Sequence, residues 1–89
     1  MTTAPVLSFK REPEYSEDAR KVKLQGVVIL VIEVDAQGEP RNIRVEKGLG
    51  LGLDEKAVEA VKSWRFRPAT RNGKPVTALA RIEVTFRLL

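Results

Sequence analysis

Residues 27–35 read VVILVIEVD, with seven β-branched or leucine side chains in nine positions. Branching at Cβ stiffens the side chain and suits a pleated strand better than a helix. Side chains along a strand alternate between its faces. Val28, Leu30, Ile32 and Val34 therefore point to one side, and Val27, Ile29 and Val31 to the other. A strand that is apolar on both faces needs cover on both and belongs in the middle of a sheet. The chain has 89 residues, enough for one domain that buries roughly 60–65% of its unfolded surface. A single sheet covered by one or two helices must then be the whole core.

The remaining segments arrange themselves around that strand. Ala36-Gln37-Gly38-Glu39 is a turn. Residues 41–47 alternate, with Ile43 and Val45 inward and Asn42, Arg44 and Glu46 outward, as in a half-exposed hairpin partner. Residues 79–88 alternate as well: Ala80, Ile82, Val84, Phe86 and Leu88 on one face, Arg81, Glu83, Thr85 and Arg87 on the other. Between these two strands Asp54 is an expected N-cap, flanked by Leu53 and Val58 at staple positions. The helix it starts runs to about Trp64 on an apolar stripe of Ala57, Val58, Val61 and Trp64. Pro68 bars its continuation, and Asn72-Gly73 marks a turn. Upstream, Ser16 is an expected cap for a short helix over 16–24, with Glu17 and Asp18 in its first turn. Glu12-Pro13-Glu14-Tyr15 reads as an extended arm. Residues 1–11 show no period and are expected to be a linker remnant or disordered arm ahead of a domain over 12–89.

The expected fold is α+β: a three-stranded antiparallel sheet in the order second–first–third, with one main helix on it and a short N-terminal helix. A right-handed crossover through the main helix gives that order. It leaves the third strand at an edge. The apolar row Val27, Ile29 and Val31 then lies on the face away from the main helix, where the arm and short helix, or a partner chain, are expected to cover it.

Composition removes most chemistries. Without histidine or cysteine, zinc, copper, haem and iron–sulfur sites lose their usual ligands, and Ser8, Ser16 and Ser63 have no imidazole base. Gly48-Leu49-Gly50-Leu51-Gly52 sits where a phosphate loop would, but it matches neither phosphate-binding pattern. No catalytic residue, metal site or cofactor is expected. The net charge is +4, yet acids and bases are interspersed with no run of five like charges, as on a solvated surface. Trp64-Arg65-Phe66-Arg67-Pro68 could stack single-stranded bases. The helical stripe instead assigns Trp64 and Phe66 to the core, and nucleic acid is not an expected partner. An edge strand, by contrast, offers free backbone groups to another chain.

The ordered set Leu24-Gln25-Gly26-Val27-Val28, Val34-Asp35-x-x-Gly38, Leu53-Asp54-x-x-Ala57-x-x-Ala60-Val61-x-x-Trp64-Arg65-Phe66-x-Pro68-Ala69, Asn72-Gly73-Lys74-Pro75-Val76 and Val84-x-Phe86-x-Leu88 resembles the TonB C-terminal domain. Glu12-Pro13-Glu14-Tyr15-Ser16 is similar to that family's Gln-Pro-x-Tyr-Pro arm, with Glu12 for glutamine and Ser16 for the second proline. The resemblance implies the periplasmic end of an inner-membrane-anchored energy transducer whose anchor is not in this chain. Such a domain pairs with the TonB box of an outer-membrane transporter, and ExbB and ExbD act through the missing N-terminal region. Uptake of siderophores, cobalamin, haem or sugars is the process it serves. A TonB-like or TolA-like module in motility or envelope assembly is the alternative.

Within that reading the partner strand pairs with Ala80, Arg81, Ile82, Glu83, Val84, Thr85, Phe86, Arg87 and Leu88 by β-augmentation. Arg81 and Arg87 are expected either to guard the edge against aggregation or to favour an acidic peptide, and Glu12, Pro13 and Tyr15 form a partner-contacting arm. A strand-swapped homodimer is a further expected assembly.

Overall fold

The computed structural model describes residues 1–88; Leu89, the last residue of the expected domain, lies outside them. Its centre is a sheet of three antiparallel strands, β3 (Gly26–Val34), β4 (Pro40–Lys47) and β8 (Ala78–Phe86), in the order β4-β3-β8. The two-faced strand is thus central, and the strand from the C-terminal segment is an edge. Helix α2 (Leu53–Lys62) packs on one face. Its Leu53, Ala57, Ala60 and Val61 are buried, as are Val28, Leu30, Ile32 and Val34 of β3 and Val84 and Phe86 of β8. Trp64 and Phe66 join that core at 2% and 7% exposure, so neither can stack a base. No helix among the described residues is long and apolar enough to cross a membrane.

Helix α1 (Glu17–Lys21) is shorter than the segment 16–24 suggested. Ser16 caps it by accepting from the Ala19 amide. It stops because Lys23 turns left-handed at φ 56°. The amides of Lys23 and Leu24 then donate back to the carbonyls of Arg20 and Ala19, the two bonds of a Schellman ending. The cap expected at Asp54 is also different. Gly52 holds the N-cap position at φ 83° without a side-chain bond. Asp54 is inside the first turn and reaches back to accept from the amides of Leu49 and Gly50.

The largest departure concerns residues 1–11, expected to be a linker remnant or disordered arm. They contain two short strands, β1 (Thr2–Thr3) and β2 (Val6–Phe9). These pair antiparallel with β6 (Ala69–Arg71) and β5 (Arg65–Arg67) respectively, and β7 (Lys74–Val76) closes a hairpin on β6. Main-chain bonding drives this ribbon, because every residue of β1 and β2 stays exposed. Side chains pin it at four points: the Met1 ammonium to Asn72 Oδ1, Thr3 to Thr70, the Ser8 hydroxyl to the Arg65 carbonyl, and the Trp64 indole to the Arg11 carbonyl.

The cover expected over Val27, Ile29 and Val31 is likewise placed elsewhere. Ala19 of α1 and Tyr15 of the arm pack into the α2-side core. The opposite face is screened by long side chains of the flanking strands. Arg81 of β8 reaches Glu46 of β4 at 2.7 Å, across β3, and shelters the row beneath with its aliphatic stem. Val27 remains 36% exposed.

A candidate strand-docking edge

β8 pairs with β3 in unbroken register over nine residues, from Ala78 opposite Val34 to Phe86 opposite Gly26. Among the described residues nothing pairs with its other edge. In an extended antiparallel strand, alternate residues send their amide and carbonyl to opposite sides. The outer side of β8 therefore carries a regular row of unpartnered donors and acceptors. Its inward side chains become more buried toward the C-terminal end: Ala78, Ala80 and Ile82 are half-buried, while Val84 and Phe86 are closed off. Beyond the strand the Leu88 amide donates to the Gln25 side chain at 2.9 Å, which keeps the chain extended.

The second sheet edge differs. β4 departs from regular pairing with β3 twice, once between Ile29 and Leu30 and once between Val31 and Glu33. At the first irregularity Glu46 is the extra residue, and the bulge re-aims its side chain across β3 toward Arg81. At the second, Asn42 adopts φ 49°. Pro40 begins the strand and has no amide hydrogen to offer. Bulges and proline are devices that blunt an edge against further pairing, so of the two edges only β8 is straight and continuous.

The arm meets β8 at its C-terminal end. Lys10, Glu12, Pro13 and Tyr15 share a shallow open cleft with Thr85, Phe86 and Arg87. Tyr15 anchors this arrangement. Its ring meets Phe86 edge-on at 5.5 Å, its hydroxyl donates to the Leu24 carbonyl at 2.7 Å, and the Arg20 guanidinium lies 5.9 Å from its centroid. The structure thus brings Glu12, Pro13 and Tyr15 to one end of the edge strand.

The two arginines singled out on β8 have different surroundings. Arg81 is engaged with Glu46 through both Nε and Nη2, and this partner holds its pKa above the ordinary arginine value. It is not a free charge for an incoming chain. Arg87 has no ion-pair partner among the described residues and lines the cleft. Lys10, which faces the same cleft, escaped sequence reasoning because it lies in a segment read as linker. The Glu46 partnership was equally hidden, since a bulge and an intervening strand separate the two residues.

Comparison with known proteins bears on the family and the fold. The family model described as the Gram-negative bacterial TonB protein C-terminal matches residues 11–88. The chain is 38% identical over 77 residues to the protein TonB of Xanthomonas campestris pv. campestris strain B100, covering 85% of this chain and 34% of that one. It is 33% identical over 96 residues to the protein TonB of Vibrio cholerae serotype O1, covering 99% of this chain and 39% of that one. The solution NMR structure of the Pseudomonas aeruginosa TonB CTD superposes with a TM-score of 0.73 at 24% identity, over 94% of this chain and 86% of that one. The chain spans about a third of the length of these curated relatives. With the family model matching continuously from the arm through β3, α2, β5 and β8, this chain belongs to the Gram-negative bacterial TonB protein C-terminal family.

Proposed function

We propose that this domain is the gripping end of a TonB-type energy transducer and that the outer edge of β8 takes the TonB box of an outer-membrane transporter as an added strand. In this reading the domain works in the periplasm, carries no catalytic chemistry, and passes on work that ExbB and ExbD draw from the inner-membrane ion-motive force. The observation that carries the proposal is the contrast of edges: nine residues of unbroken ladder on β8, against two irregularities and a proline on β4. Main-chain pairing is nearly blind to side chains, so selectivity falls to the end of the strand. There Arg87 and Lys10 favour an acidic residue, and the Glu12–Tyr15 arm limits what can lie alongside. A partner of this kind is a short β-branched run with one acid. The interface is small, below roughly 1,200 Å² as for transient contacts, and its rim charges act mainly on association rate and salt dependence.

The test is titration of the labelled domain with a TonB-box peptide, followed by amide shifts. Shifts should concentrate on alternate residues of β8 and on the arm. Arg87→Gln should weaken binding more than Arg81→Gln, because Glu46 already occupies Arg81. Shifts confined to β4, or none at millimolar peptide, would rule the edge out.

A further inference from the structure

Charge is not spread evenly over this fold. Residues 1–11 and 64–78 hold six of the sixteen basic side chains and none of the twelve acidic ones, which leaves the rest of the chain two charges negative. The segments are far apart in sequence, and neither contains a run of like charge. The ribbon brings them together, β1 on β6 and β2 on β5 with β7 behind. Lys10, Arg11, Arg65, Arg67, Arg71 and Lys74 are all exposed on it. The acids that approach are Glu12, 3.8 Å from Lys10, and Glu39, 3.9 Å from Arg65, both solvent-screened and weak.

Register decides what stands beside these cations. Val6 lies opposite Arg67 and Phe9 opposite Arg65, and directly opposed residues project to the same face. Val6 is 57% and Phe9 48% exposed, and the Arg11 guanidinium sits 6.0 Å from the Phe9 ring. At the hairpin tip Arg71 faces Lys74. Like charges directly opposite each other repel, and neither has an acidic partner among the described residues. An anion placed over the tip relieves that repulsion.

We propose that this ribbon docks on an anionic phospholipid surface, its cations meeting headgroup phosphates while Val6 and Phe9 enter the interfacial layer. A surface that sets apolar side chains beside arginines suits a headgroup boundary. Arginine stems lie along apolar neighbours while their heads reach phosphate. A dissolved polyanion needs only the cations. A single-stranded nucleic acid needs successive stacking platforms as well, and the ribbon exposes one aromatic ring, Phe9, while Trp64 and Phe66 are buried. The proposal uses no residue of β8; Lys10 alone is shared with the peptide-binding reading, and no variant below alters it.

The experiment is co-sedimentation of the full chain with vesicles of phosphatidylglycerol and phosphatidylethanolamine, and with vesicles of phosphatidylcholine alone. Binding should appear on the anionic vesicles only and weaken as salt shortens the Debye length. Each cation near such a surface contributes about fivefold. Arg71→Gln with Lys74→Gln, both at an exposed hairpin tip, should therefore weaken binding at least about tenfold. Arg44→Gln with Lys47→Gln, an equal change of net charge at exposed positions of β4, should change it less than about twofold. Phe9→Ser, checked for an unchanged melt, should weaken vesicle binding but not binding to a single-stranded oligonucleotide. No sedimentation with anionic vesicles would overturn the proposal. Equal loss from the two charge pairs would reduce it to net charge. An oligonucleotide bound as tightly as vesicles, with Phe9→Ser silent on both, would make the ribbon an aqueous polyanion site instead.

Discussion

Two residues in the β3–β4 turn show how narrowly single positions are set. Gly38 lies at φ 82°, and a Cβ there would fall 1.9 Å from the Phe66 carbonyl oxygen. The Gly38 carbonyl also accepts the Phe66 amide at 2.9 Å, which ties the turn to the start of the ribbon. Gly38→Ala should cost at least about 2 kcal/mol, or roughly 8 °C or more in Tm; a melt within a degree of the parent would show that the junction yields. Asp35 accepts from the amides of Gln37 and Glu39 and from Arg41 Nε at 2.6 Å. The Arg41 bond, then the Glu39 amide, hold its pKa below the ordinary 3.8. A depressed carboxylate stabilises the fold fully above its unfolded pKa, and that contribution is lost as pH falls through the lower folded value. The Tm gap between the parent and Asp35→Asn should therefore be widest near neutrality and narrow on acidification below about pH 4. A gap unchanged from pH 7 to pH 2 would contradict this role. The sequence showed Asp35 and Gly38 as members of a turn. It could not show what each touches, because Phe66 comes from a segment that approaches only in the folded chain.

Among the elements, β3, β4, β8 and α2 were legible because each carries a strong period: two-faced in β3, alternating in β4 and β8, a helical stripe in α2. The ribbon was not. Its strands are two to four residues long, too short for a period, and β1 and β2 bury nothing that would betray a face. Their partners lie some sixty residues away in sequence. The edge position of β8 was legible through handedness, whereas the blunting of β4 was not, since bulges leave no mark in an alternating pattern. Hydrogen exchange tests the contrast directly. In the free domain, amides of β8 should alternate between slow and fast along the strand, the fast set slowing when peptide is added. Those of β4 should lose that alternation around Glu46 and Asn42. Uniform protection along β8 would mean that its outer edge is already occupied.

Taken as a whole, the molecule measures 49 × 21 × 16 Å, a long body for 88 described residues, built as a sheet-and-helix core with a ribbon attached. The core holds ten basic and twelve acidic side chains and is slightly acidic; the ribbon holds six basic ones and no acid, and is basic. The edge position of β8 was foreseen from sequence, whereas the pairing of its Arg81 with Glu46 was not. The unbroken ladder of β8 also has a mechanical meaning. A chain laid against it and pulled along the strand direction is loaded in shear, so that all of its main-chain bonds carry tension together and must fail together. Pulled at right angles, the same bonds break in succession, like a zipper opened from its end. A bond too weak to last at equilibrium can thus resist a brief tug along one axis and let go along the other, and the direction of pulling sets the strength of the grip.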